Sequence, residues 1–288
     1  METVEVVRKQ KAKLLAASKN PLPVKAGADL FEQFLLRSLR GPSAGDTSGG
    51  VLSFDQTLAH LLENHQVFAS RARLARNTIA ATGARYIEHE SVVLTAGGSR
   101  VVTSILLYAE ADTTRHFKAH FKVIYVKDGS PRTDASIAAL RAAGIKVETI
   151  NPGAVSHTLA NNRQITLVLV GTEVVLKNGG IISRMGTAQL AFLAKHMKGS
   201  DKRFLVAAET HKIVNQGLPM GPVVKDLDIR QKDIGDWQTL GRDLSDTQEL
   251  LAEGEWVDYT PPNLIDGIIT EQGVKQPTNI WAMLEDYI

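Results

Sequence analysis

The stretch Val168-Leu-Val-Gly-Thr-Glu-Val-Val-Leu-Lys-Asn-Gly-Gly-Ile-Ile-Ser-Arg-Met-Gly-Thr-Ala-Gln189 decides the fold. It opens on an apolar run closed by Gly171, the composition of a strand covered on both faces, as strands of a parallel sheet usually are. A polar, glycine-rich loop follows, and then a helix is expected from Ala188 to Lys198. Glu173, Asn178, Gly179, Gly180, Ser183, Arg184 and Thr187 bring a carboxylate, an amide, hydroxyls, a cation and approachable backbone N–H groups to the space between strand and helix. Helix N-termini attract anions, so the segment reads as a small-ligand crevice.

The same pattern extends outward from this segment. From about residue 90 short apolar runs alternate with helical stretches, the signature of βαβ units on a parallel sheet. Strands are expected at Val92 to Leu94, Val123 to Val126, Lys146 to Ile150, Ile165 to Val170 and Phe204 to Ala207. Helices are expected from Arg100 to Ala109, from Asp134 to Ala143 with Gly144 as its stop, and from Ala154 to Asn161. In such sheets ligands sit outside the carboxyl ends of the strands. Those ends read Thr95-Ala-Gly-Gly-Ser99, Lys127-Asp-Gly-Ser130, Asn151-Pro-Gly153, Thr172-Glu173 and Glu209-Thr-His-Lys212. Ordinary turns use the same residue types, so the joint occurrence at five strand ends carries the argument. Thr95, Gly97, Gly98, Ser99, Arg100, Asp128, Glu173, Asn178, Gly179, Gly180, Arg184 and Lys212 form the candidate ligand and phosphate set. Ser99 has the place of an N-cap, yet the loop lacks the spaced glycines of a dinucleotide fold and the Gly-Lys-Ser/Thr ending of a P-loop.

Before residue 88 the periodicity is helical, as in Leu30, Phe31, Phe34, Leu35 and Leu39, then Leu58, Leu61 and Leu62, then Leu74, Ile79 and Ala80. Pro21 and Pro23 break the first helix, and Gly41-Pro-Ser-Ala-Gly-Asp-Thr-Ser-Gly-Gly50 has the composition of a flexible loop. The expected organisation is α/β: a helical N-terminal domain over 1–88 and a Rossmann-like parallel-sheet domain over 89–288.

Composition excludes several classes. The net charge of +2 over 288 residues gives no call for nucleic acid or an anionic membrane. Basic Arg8-Lys-Gln-Lys-Ala-Lys13 interleaves with Val4, Val7, Leu14 and Leu15 at helical spacing, a solvated helix face. The absence of cysteine removes disulfides, thiolate metal sites and a thiol nucleophile together. No apolar run approaches the roughly 20 residues of a membrane span, and no leader is apparent, so a cytosolic protein is expected. His116 and His120 have metal-like spacing without a neighbouring glutamate, and Ser99 and Ser130 lack a nucleophile elbow.

The segments Val170 to Thr187, Ala207-Ala-Glu-Thr-His-Lys212 and Val257-Asp-Tyr-Thr-Pro-Pro-Asn-Leu-Ile265 resemble the alpha-subunit family of eukaryotic translation initiation factor 2B. The resemblance extends to Gly27-Ala-Asp-Leu-Phe31, Arg76-Asn77 and Leu94-Thr-Ala-Gly-Gly-Ser-Arg-Val-Val102, and so covers nearly the whole chain from residue 24. The first 20 residues match poorly, and the helical region looks shorter than the family pattern. The wider group includes ribose-phosphate isomerases such as methylthioribose-1-phosphate isomerase. The resemblance therefore implies a pocket between a helical and a Rossmann-like domain. In those isomerases a cysteine and an aspartate stand where this sequence has Gly97 and Glu173. Isomerisation carries a proton between adjacent carbons, and glycine has no group to carry it, so binding without catalysis is the expectation.

The resemblance further implies a regulatory subunit of the guanine-nucleotide exchange factor for initiation factor 2. Such a subunit homodimerises, joins beta, gamma, delta and epsilon subunits in a decamer, and helps sense the phosphorylated alpha subunit of initiation factor 2. Arg37, Arg40, Arg71, Arg73 and Arg76 are the candidate contacts for that phosphorylated partner, a solvated role being the alternative. Tyr259 to Ile269, with Trp281 and Tyr287, suits either a dimer contact or the core. No cofactor is expected beyond a bound sugar phosphate, nucleoside monophosphate or phosphate ion, and no metal, nucleic acid or membrane. Two alternatives stand: an active sugar-phosphate isomerase using Glu173 and Asp128, and a beta or delta subunit of the same factor.

Overall fold

The computed structural model describes residues 2–17, 24, 26–28, 31–32, 70, 73–112, 120–197, 202–214 and 257–285. The expected loop over 41–50 lies outside them, as do Arg37, Arg40, Arg71, His116 and Tyr287. In chain order the described elements are α1 (Glu2–Ala17), α2 (73–84), β1 (Val92–Ala96), α3 (Arg100–Ala111), β2 (Lys122–Val126), α4 (Pro131–Ala142), β3 (Lys146–Ile150), α5 (Val155–Asn161) and β4 (Ile165–Gly171). They continue as β5 (Val174–Leu176), β6 (Ile181–Arg184), α6 (Thr187–His196), β7 (Arg203–Ala207), β8 (Ile213–Val214), β9 (Val257–Thr260), β10 (Gly267–Thr270), β11 (Gly273–Lys275) and α7 (Ile280–Glu285).

Seven strands form one sheet in the order β11-β10-β7-β4-β1-β2-β3, parallel except for the β10–β11 pair. The continuous apolar runs are explained by burial on both faces. Successive side chains of a strand point to opposite sides, so Leu167 and Leu169 join one core with Ile79, Ile105 and Leu140, while Val168 and Val170 join another with Leu159, Leu190 and Met283. Helices α2, α3 and α4 contribute to the first core, and α5, α6 and α7 to the second. Each fully buried Val, Leu or Ile contributes about 1.5–3 kcal/mol relative to exposure. A charge in place of any of the β4 side chains among them would be buried without water, because β4 lies in the middle of the sheet with a core on each face.

Local signals set the helix starts. Ser130 accepts the Thr133 N–H at 3.3 Å, Pro131 fills the first helical position, and Gly144 with φ +88° follows the C-terminus of α4. The expected helix from Ala188 to Lys198 runs instead from Thr187 to His196.

The segment after β4 departs from the expectation of one loop between strand and helix. Val174–Leu176 and Ile181–Arg184 form an antiparallel hairpin inside a second sheet, ordered β8-β5-β6-β9. Tyr259 to Ile269 resolves toward the core: Leu264, Ile265, Ile268 and Ile269 are buried, and β10 pairs in parallel with β7. Trp281 is 49% exposed, with the Lys177 ammonium 3.5 Å from its ring centroid. No described helix is long and apolar enough to cross a membrane.

Candidate functional site

The order of strands places the site. From β1 the chain moves outward through β2 and β3, then returns to β4 on the other side of β1 and moves out through β7 and β10. The loops leaving β1 and β4 therefore diverge, and a crevice opens between them at the carboxyl edge. A cavity of about 750 Å³ lies there. Its walls come from the β1–α3 loop, α4, the ends of β4 and β6, and the turn after β7.

The two loops touch at their bases. Gly171 lies so close to Ser99 that a Cβ built on it would stand 2.2 Å from the Ser99 Oγ. Gly97 and Gly98 hold φ of +80° and +61°, a region that L side chains adopt at a cost, and a Cβ on Gly98 would meet the Arg132 backbone at 2.7 Å. The Gly98 N–H donates to the Tyr125 hydroxyl at 3.1 Å, so this amide is spent inside the fold rather than offered to a ligand. Tyr125 is fully buried, which pushes its phenol above the usual range. Thr95 is wholly buried in β1 beneath the loop and does not line the cavity.

Four cations and two carboxylates line the crevice: Arg100, Arg132, Arg184 and Lys212 against Glu173 and Glu209. Lys212 donates to the Thr172 carbonyl at 2.9 Å and sits 3.1 Å from the Glu209 carboxylate, tying the end of β4 to the turn after β7. Arg184 faces Asp128 at 3.4 Å, and Arg132 approaches Glu173 at 4.0 Å. Burial works to raise the Glu209 carboxyl, but the Lys212 ammonium, a backbone N–H and His211 outweigh it and hold it below the usual carboxylate range. At Asp128 burial is likewise outweighed, there by hydrogen bonds from Thr133 and Ser130 with the charge of Arg184. Both acids are ionised at neutral pH, and the cavity keeps an excess of positive charge that draws an anion in.

Sequence reasoning named most of this lining and misplaced part of it. Gly97, Gly98, Ser99, Arg100, Glu173, Arg184 and Lys212 converge on the cavity, with Asp128 bonded to Arg184 at its edge. Asn178, Gly179 and Gly180 do not: they form the β5–β6 turn, where Asn178 donates to the Tyr259 hydroxyl at 2.7 Å and accepts from the Gly180 N–H. The glycines there are required by packing, since a Cβ on Gly179 would lie 2.1 Å from the Pro277 carbonyl and one on Gly180 2.6 Å from the Tyr259 ring. The anion expected at the N-terminus of α6 is the chain's own Asp258, which accepts the N–H groups of Gly186 at 2.7 Å and Ala188 at 3.1 Å. Burial pushes the Asp258 carboxyl up to about 6 against those donors.

Arg73 is exposed on α2, as a surface contact requires. Arg76, the other described candidate for a partner contact, is partly buried, with its Nε 4.0 Å from the Glu209 carboxylate. Glu209 and His211 line the crevice and went unnamed among the candidates; their place directly after the fifth strand was the signal. Among the described residues no group of three or more His, Cys, Asp and Glu is placed to hold a metal ion.

The sequence pattern described as Initiation factor 2 subunit family matches residues 7–277. The chain belongs to that family. Members similar to it include translation initiation factor eIF2B subunit alpha of Dictyostelium discoideum, 30% identical over 233 residues, which cover 79% of this chain and 68% of that protein. The delta subunit from the same organism is 31% identical over 251 residues, covering 82% of this chain and 38% of the relative. Ribose 1,5-bisphosphate isomerase of Methanocaldococcus jannaschii is 25% identical over 229 residues, covering 79% and 68%. The crystal structure of eIF2B beta from Chaetomium thermophilum shares the fold with a TM-score of 0.67 at 17% identity, covering 99% of this chain and 76% of that one. The initiation factor 2 subunit fold thus accommodates both translation factor subunits and an isomerase among this chain's relatives.

Proposed function

We propose that this family member is a regulatory, non-catalytic subunit of the guanine-nucleotide exchange factor for initiation factor 2. Its crevice binds a sugar phosphate, a nucleoside monophosphate or phosphate without converting it. The observation that carries this reading is the end of β1. Gly97 stands with φ +80° beside Arg184 in a cation-rich cavity, so the position contributes anion-binding surface and no proton carrier. The subunit works as a homodimer in the cytosol, joins beta, gamma, delta and epsilon subunits, stabilises their decamer and helps sense the phosphorylated alpha subunit of initiation factor 2. The similarity to an eIF2B alpha subunit supports that role.

Two other readings have specific support. The isomerase relative, together with Glu173, Glu209 and His211 inside the cavity, favours residual proton transfer on an aldose phosphate. The delta-subunit relative favours a place beside a beta subunit. One NMR experiment with a panel of phosphosugars and nucleoside monophosphates, reading saturation transfer and product in the same tube, separates binding from turnover. Saturable binding with no product is expected, and steady conversion overturns the non-catalytic reading. Self-association of the purified chain, against co-purification with a beta subunit, decides between the subunit roles.

A further inference from the structure

The crevice holds one ionisable side chain that the charge balance above leaves out. His211 occupies the 3-10 turn Thr210–Lys212 after β7 and lines the cavity with Arg132, Arg184 and Lys212. The turn is fixed on both sides. The Lys212 N–H donates to the Glu209 carbonyl at 2.9 Å, and Thr210 donates through its N–H and its hydroxyl to Glu271 in the β10–β11 turn. These bonds fix the backbone that carries the ring.

The charges that face the imidazole come from every element around it. Glu209 and Lys212 belong to its own segment, Glu271 to the β10–β11 turn, and Arg76 to α2. Glu173 and Arg132 lie on other walls of the same cavity. Burial is the largest influence on the ring and holds the imidazole below its ordinary range, with Lys212 and Arg76 aiding burial and Glu209 and Glu271 opposing it. At neutral pH the ring is therefore neutral, in a wall that also carries Arg132, Arg184 and Lys212. A doubly charged anion entering that space shares the cations Arg132, Arg184 and Lys212 and adds its own negative charge beside the ring, which raises the imidazole's affinity for a proton.

We propose that His211 is a proton-dependent ligand of the crevice, so that the pocket takes up a proton as it binds a dianionic phosphoryl or sulfuryl group and binds it more tightly as pH falls. This rests on the reading of the crevice as an anion pocket and names how that pocket is regulated. Glu209 and Asp128 are held low and stay ionised through the range in which the imidazole titrates, so they do not produce the same effect.

Phosphate esters titrate at about pH 6 themselves, so the probe is sodium sulfate, which stays doubly charged throughout. Its binding is measured by titration calorimetry from about pH 5.5 to about pH 8, the imidazole range, in two buffers of different ionisation enthalpy, with ribose 5-phosphate as competitor. The parent protein should take up a fraction of a proton on binding sulfate and bind it about tenfold more tightly at the acid end, one unit of pKa being a factor of ten. His211→Gln should take up no proton, show a flat pH profile, and match the parent at the alkaline end. Binding by the parent without proton uptake overturns the proposal, as does a His211→Gln variant that keeps the parent's profile or, with its thermal transition intact, has lost sulfate. Should the variant fail to fold, proton uptake by the parent still decides. If ribose 5-phosphate binds while sulfate binding is not linked to protons, this inference alone falls; if neither binds, the crevice reading falls with it.

Discussion

The close approach of Gly171 to Ser99 is where the two halves of the sheet meet, and it yields a quantitative test. In Gly171→Ala the new methyl would stand 2.2 Å from the Ser99 Oγ and 2.5 Å from its Cβ, distances that force one loop to move. Overpacking of this kind costs typically about 1–3 kcal/mol, and the upper half of that range is expected because both partners end inner strands or start helices. Ser99→Gly alone removes a side-chain cap whose bond to the Val102 N–H is long at 3.5 Å, and glycine serves as an N-cap with a loss of only a few tenths, about 0.3 kcal/mol. In the double variant both clashing atoms are gone, and the remaining contact, Ser99 Cα at 3.8 Å, is ordinary packing. The pair should therefore be non-additive: most of the cost of Gly171→Ala is recovered, a coupling of about 1–3 kcal/mol in a double-mutant cycle. Urea unfolding of the four proteins, followed by circular dichroism, reads this from the transition midpoints at constant slope. Costs that simply add would refute the reasoning, because the clash would then not be with Ser99.

Tyr125→Phe leaves the Gly98 N–H buried without its acceptor and should cost about 1–3 kcal/mol in the same unfolding assay; a change below about 0.5 kcal/mol would show that the loop does not depend on that bond. Arg184→Ala removes a cavity cation and should weaken binding of phosphosugars at least about tenfold by NMR titration, while unchanged binding would displace the site from this crevice. For Asp258 the folded carboxyl binds its proton more tightly than the unfolded one, so the group favours the fold at low pH and that contribution is lost as pH rises through about 6. The rise from 3.8 to about 6 corresponds to about 3 kcal/mol, and Asp258→Asn should flatten the stability profile between these values by up to that amount; identical profiles for parent and variant would refute the assignment.

The sequence by itself determined the parallel sheet and its polar edge. A strand covered on both faces is apolar along its buried run, and this is why Leu167 to Val170 and Phe204 to Ala207 can be read without a structure. The glycine pair after β1, Ser99 before α3 and Gly144 after α4 are local signals for the same reason, since each acts within a few residues of itself, whereas the Ser130 cap starts α4 at Pro131, ahead of the expected Asp134. Contacts between distant segments were not legible. Asp258 fills the helix N-terminus of Ala188 from 70 residues away, and Asn178 is taken up by Tyr259 from 81 residues away, so two features that read as anion-binding are satisfied internally. The short run Gly267–Thr270 gives a period too brief to separate a core strand from an interface, and only its pairing with β7 settles it. Arg76 looks like any helix-surface arginine until α2 docks against the turn that carries Glu209. Composition and period fix which residues must be buried or turned; the tertiary structure alone decides which polar groups find each other and which stay open to a ligand.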